Sequence, residues 1–331
     1  MEAFGFMLHL AQAYGPEAVS WLKPSLLQQS DPNAALLPYW LGAWAIQIAP
    51  QGMPLDAAAH VPFMGLLALT LAATWYGVYT LARSPAAQPV SFAFGGEARP
   101  ADYARAIADG GLLALLACLG LARLSHEATP ALAQLSFSAV LFYALANLNR
   151  RRISALSFAL IAIIGMTLSG APALALVLGA GGALILAMDA NKPFSLRVRR
   201  VDVAWVLLIC LASAAVATAL GLWRWRVPYS NVLEIKSITR LLLWFTWPAW
   251  PLAIWTLWRW RYQLRHILAN PHLSLPLWFV VVTLVSTYFS GSSDRSLLLA
   301  LPAMATLAAF ALPTLQRSVS AFLDWFTLLF F

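Results

Sequence analysis

The sequence predicts an all-α polytopic integral membrane protein, and three observations predict it. Apolar runs of about 16 to 22 residues recur along the chain, close to the ~20 residues a helix needs to cross the hydrocarbon core. Of the 331 residues, 61% are hydrophobic and only 10% charged, with a mean hydropathy of +0.73, too little polar surface to coat a soluble globule. Basic residues gather in alternate loops, the pattern that orients helices across a bilayer.

Spans are expected near 62–82, 111–124, 130–148, 153–169, 172–188, 203–222, 240–258, 275–290 and 297–313, with a last one starting near 319. This divides the chain into a first loop, 1–60, and a bundle of about ten spans, 61–331. If the 62–82 span runs inward, the cytoplasmic side collects Arg83, Arg99, Arg105, Arg150, Arg151, Arg152, Lys192, Arg197, Arg199, Arg200, Arg259, Arg261, Arg265 and Arg317, two thirds of the 21 basic residues. The net charge of +8 is thereby a topology signal, and no nucleic-acid partner is needed to explain it. Cys118 and Cys210 lie inside apolar runs and read as small hydrophobes. No cleavable signal precedes the first span.

Within the first loop, "LLPYWLGAWAIQIAP" is barely 15 residues long, with Pro38 near its start, Gln47 inside it and Tyr39, Trp40 and Trp44 along it. Those features describe a helix lying at the membrane interface, where aromatic rings prefer to sit. A short genuine span is the alternative, and it would invert the loop count that follows.

The stretch "MEAFGFMLHLAQAYGPEAVSWLKPSLLQQSDPNAALLPYWLGAW" resembles the first periplasmic loop of the family 39 glycosyltransferases of the GT-C class, which include protein O-mannosyltransferases and the lipid A aminoarabinose transferase. In that family the loop runs D-E-A, a short helix ending in Gly, W-x-x-P, then K-P-P-L-x-Y-W-L. Glu2-Ala3, Gly15, Trp21 with Pro24, and Asp31-Pro32 followed by Leu37-Pro38-Tyr39-Trp40-Leu41 match these pieces. "SSDRSLLLALPAMATLAAFALP" extends the likeness toward the other end. The resemblance implies a GT-C-like transmembrane helix bundle with a helical periplasmic N-terminal loop, in a bacterial inner membrane. It departs from the family in one place that matters: Met1 stands where the family's first acid stands, so the chain reads as beginning inside that loop, and "FLDWFTLLFF" is short of a full last span.

The activity implied is inverting transfer of a sugar from a polyprenyl-phosphate-linked donor to a lipid, glycan or protein acceptor at the periplasmic face. That chemistry needs a carboxylate to take the acceptor's proton and cations to hold the departing phosphate. Glu2 matches the second acid of the family motif. Asp31, before Pro32, is a second candidate base or a plain helix cap, and Glu127, beside His126 in "LARLSHEATPALAQL", is a third or part of a polar turn. Arg224 and Arg226, alternating with tryptophans, suit either lipid phosphate or interfacial anchoring. Lys23, His126 and Arg295 complete the candidate substrate-binding set. No metal ligand set is expected, since an adjacent His-Glu pair without a second cluster is a weak signal, while a divalent-cation cofactor is left open. "LVLGAGGALI" has no Lys after it and reads as close helix packing.

The other class considered is a non-catalytic scaffold of the same fold, or a transporter. Transport calls for ionisable residues near span centres, and the spans contain almost none. The expected topology is checked by impermeant thiol labelling of single-cysteine variants in intact cells. Ser125→Cys is expected to label and Ser195→Cys to be protected; the reverse pattern inverts the topology.

Overall fold

The structure, a computed structural model, describes residues 2–12, 21–26, 29–30, 34–88, 99–188, 196–223, 232–265, 267–289 and 297–315. They are helical almost throughout. Four of the helices are long and apolar enough to cross a membrane: Leu55–Ala82, Pro130–Asn147, Arg200–Ala219 and Pro271–Tyr288.

Helix α1 (Glu2–Gln12) packs on α2 (Leu37–Gln47), and between them lies a two-residue antiparallel ladder of β1 (Ser25–Leu26) and β2 (Gln29–Ser30). The α1–α2 contact is close because Gly42 has no side chain: a Cβ there would lie within 2.3 Å of the Met7 sulfur. The Phe6 and Tyr39 rings stack beside it, 5.1 Å apart. Helix α3 (Leu55–Ala82) follows, then α4 (Pro100–Leu116), α5 (Leu119–Leu124), α6 (Pro130–Asn147), α7 (Arg152–Leu168), α8 (Pro172–Ala187) and α9 (Leu196–Ala219). Proline opens α4, α6 and α8, where its missing N–H costs nothing and its fixed φ suits the first turn. The chain continues through α10 (Val232–Phe245), α11 (Ala249–Arg259), the single turn α12 (Arg261–Leu264), α13 (Pro271–Phe289) and α14 (Leu301–Ala311).

At the centre stands α6, with 89% of its residues buried. It runs parallel to α3: Leu66 meets Ser136, Gly77 meets Phe142 and Tyr143, and the Arg83 carbonyl accepts a 2.9 Å hydrogen bond from Arg150. Hydroxyls fix this pairing, since Ser136 Oγ lies 2.7 Å from Thr70 Oγ1 and donates to the Leu66 carbonyl at 2.6 Å. Elsewhere threonines satisfy themselves on the carbonyl one turn back, as at Thr74, Thr167, Thr283 and Thr306, the usual answer to a hydroxyl in an apolar helix.

Two of the expected spans are interrupted. The run at 111–124 is split at Ala117–Cys118 between α4 and α5, and the run at 240–258 at Thr246–Pro248 between α10 and α11. The two breaks meet: Leu119 N–H donates to the Trp247 carbonyl at 3.1 Å, and the Phe245 ring lies against Gly120. The expected span near 319 lies outside the described residues.

Close packing through glycine gives a direct test. A Cβ at Gly165 would sit 2.5 Å from the Phe137 ring, whereas one at Gly65 meets nothing within 4 Å. Gly165→Ala is expected to lower stability by about 1–3 kcal/mol through overpacking, and Gly65→Ala to leave it unchanged or raise it slightly. Thermal unfolding in detergent checks the order.

Candidate functional site

The two ends of the bundle differ chemically, and the helix directions decide which residues share an end. Leu36 N–H donates to the Leu168 carbonyl at 2.7 Å, so the start of α2 rests on the last turn of α7. Gln134 Nε2 donates to the Ser169 carbonyl at 2.7 Å, bringing the start of α6 to the same place. Leu222, just beyond α9, packs with Leu36 and Ala217. Helices α7 and α9 both stop here at a glycine in the left-handed region, Gly170 (φ 86°) and Gly221 (φ 64°), where a side chain would be strained. In each, the next N–H reaches back five residues, Ala171 to Met166 and Leu222 to Ala217, and satisfies a carbonyl of the last turn. The α1–α2 pair therefore caps the end of the bundle that also carries the turn at 125–129.

Four of the expected site residues are described at this cap end. Glu2 lies exposed in the first turn of α1, where its charge favours the helix dipole. Lys23 is exposed in the segment leading to β1. His126 is exposed and Glu127 half-buried in the turn from α5 to α6, where Glu127 N–H is tied to the Leu124 carbonyl at 3.2 Å. Glu2 and Lys23 thus belong to the cap, and His126 and Glu127 to the bundle beneath it. Asp31, Arg224, Arg226 and Arg295 lie outside the described residues. Among the described residues no group of three or more His, Cys, Asp or Glu is placed to hold a metal ion.

Aromatic rings build the cap. Trp40 Nε1 donates to the Trp21 carbonyl at 2.7 Å, and Trp21 stacks on Trp44 at 6.3 Å. Gln47 Nε2 reaches the Ala11 carbonyl at 3.3 Å and ties the end of α2 to the end of α1. Trp44, Leu22 and Ile48 remain exposed, so the cap presents apolar surface as an interfacial helix pair does.

At the opposite end gather Arg83, Arg99, Arg150, Arg151, Arg200, Arg259, Arg261 and Arg265, all exposed. The acids there are taken: Asp102 pairs with Arg105 at 3.0 Å, and Asp202 with Arg152 at 2.5 Å. The Asp202 contact lies off the hydrogen-bond axis and is ionic rather than a directed hydrogen bond. Burial and the neighbouring Arg83 charge hold the Arg150 pKa below its usual value. The sequence reading counted Arg259, Arg261 and Arg265 for topology alone. The sequence nonetheless carries a signal, because "LWRWR" occurs twice, at 222–226, which holds the candidate Arg224 and Arg226, and again at 257–261.

The fold is a helical bundle with four helices long and apolar enough to cross a membrane, an aromatic cap over one end and an arginine-rich face at the other. Comparison with protein families, curated proteins and solved structures finds no match.

Trp40→Phe removes the indole bond to Trp21 while keeping most of the packing. A hydrogen bond of this kind contributes about 1 kcal/mol, so amide exchange in residues 21–26 is expected to speed by ~5-fold with exchange in α6 unchanged. Hydrogen-exchange mass spectrometry checks it.

Proposed function

We propose that the chain is a membrane glycosyltransferase of the GT-C kind, moving a sugar from a polyprenyl-phosphate-linked donor to a lipid, glycan or protein acceptor. In this reading the cap end faces the periplasm of a bacterial inner membrane, and the reaction takes place beneath the cap. The observation that carries it is the α1–α2 cap, built from the stretch that resembles the family's first loop and laid over the end holding His126 and Glu127. A lipid-linked donor stays in the membrane while its phosphate and sugar lie at the surface, so acids and cations are needed at a bundle end rather than at its centre. Glu2, Asp31 and Glu127 are the candidate bases for the acceptor's proton. Lys23, His126, Arg224, Arg226 and Arg295 are the candidate groups for donor phosphate and acceptor.

One observation favours a second reading, a non-catalytic bundle or a transporter. The interrupted helices α4–α5 and α10–α11 meet at their breaks, an arrangement that many transporters use to build a binding site from unwound backbone. The two readings part on whether a glycosidic bond is broken.

The full chain in proteoliposomes, supplied with radiolabelled polyprenyl-phosphate sugar and periplasmic acceptor fractions, decides between them. Transfer of label is expected, reduced by about 10²–10⁴-fold in Glu2→Gln with donor binding kept, the loss typical of a missing general base. Label that crosses the bilayer on intact donor, or no transfer under any condition, contradicts the transferase reading.

A further inference from the structure

From the corner where α11 turns through α12 into α13, we infer a binding site for the anionic headgroup of a membrane phospholipid, in the leaflet opposite the cap. At this corner Arg259, Arg261 and Arg265 are exposed, and the chain contains no Asp or Glu between Glu234 and Asp294. Among the described residues none of the three has a carboxylate partner. Two of the guanidinium groups, those of Arg261 and Arg265, are nonetheless held. Arg261 lies over the rings of Trp258 and Tyr262, 5.2 and 4.7 Å from their centroids, and donates to the Trp258 carbonyl at 3.3 Å and to the Tyr262 hydroxyl at 3.5 Å. Arg265 also lies over the Tyr262 ring, 5.8 Å from its centroid. Stacking fixes a guanidinium plane without consuming its charge, so its remaining N–H groups stay available for a phosphate.

The apolar half of the site is on the same residues. Trp258 is 56% and Tyr262 64% exposed, and Ile254, one turn before Trp258, is exposed as well. Rings and aliphatic surface of that kind sit among acyl chains and glycerol, with the polar edge toward the headgroups. Depth is set from behind: Asn270 Nδ2 donates to the Gln263 carbonyl at 3.2 Å, and the buried His272 ring packs between Trp260 and Phe310 at 5.0 and 5.4 Å. The loop is therefore braced against the core. Charge without acids, pre-oriented forks and an apolar floor together fit a phosphate diester on a lipid rather than a soluble anion, which has no use for the floor. This inference is independent of the transferase reading, whose site is at the other end.

The test uses the full chain in neutral detergent, with the thermal midpoint followed as phosphatidylglycerol, phosphatidylcholine or inorganic phosphate is added. Phosphatidylglycerol is expected to raise the midpoint, and the other two to have little effect. The variant R259Q/R261Q/R265Q is expected to need at least ~10-fold more phosphatidylglycerol for the same shift, while the corresponding triple lysine variant keeps part of it. If the triple glutamine variant does not fold, Arg261→Gln and Arg265→Gln singly carry the test, each with a loss of about 5-fold. An unchanged response in the glutamine variants overturns the site. An equal shift from inorganic phosphate overturns its assignment to a lipid, and an equal shift from phosphatidylcholine its assignment to an anionic one.

Discussion

The hydroxyl clasp between α3 and α6 is the contact on which the rest of the arrangement depends. A bundle surrounded by apolar solvent has no water to satisfy a stray donor, so a hydroxyl placed between helices must be answered by a neighbour. Ser136, Thr70 and the Leu66 carbonyl answer one another. The two long helices run parallel, so the intervening chain returns through α4 and α5. The start of α6 is thereby set near the cap and its end near Arg83. The Thr167 and Ser213 hydroxyls, 2.6 Å apart, repeat the device between α7 and α9, again a parallel pair separated by one returning helix.

From this alternation follows the chemical difference between the ends. Pairing of charges is not what distinguishes the ends, since Asp102 and Asp202 find Arg105 and Arg152 within the arginine-rich end itself. Where the helices start and stop sets what each end holds: Glu2, Lys23, Arg123, His126 and Glu127 fall on one side, and the arginines after α3, α6 and α11, with Asp102 and Asp202, on the other. The functional readings rest on that separation, with polar transfer chemistry under an aromatic cap and lipid anchoring at the far corner.

Much of the bundle was legible because its signals are local. Pro54 and Asp56 mark the start of α3, Pro130 and Pro172 the starts of α6 and α8, and Gly170 the end of α7, each through backbone constraints that need no tertiary partner. Pro248 within the 240–258 run also carried a local signal of interruption. The break at Cys118 did not, since nothing in "GGLLALLACLGLARL" forbids a continuous helix; it is stabilised by a contact with Trp247, 128 residues away from Leu119 in sequence. The first half of α4, "PADYARAIADGG", was missed as helix because its polarity hid it from hydropathy, although Asp109 finds the Trp75 indole at 2.7 Å. At the candidate site, the identities of Glu2 and Glu127 were readable but their common end was not, because that depends on the parallel α3–α6 pairing. The arginine corner was hidden by its own topology signal, which accounted for the charges without asking what the neighbouring rings were for.

The central claim is that the cap and the 125–129 turn share one end of the bundle while the arginine loops occupy the other. Pulsed electron-resonance distances between spin labels test it most directly, using the pairs Ile48 with Ser125 and Ile48 with Arg151. The account predicts that the second distance exceeds the first by about 20 Å or more, most of the rise of an 18-residue helix such as α6. Equal distances, or a longer one to Ser125, would contradict it.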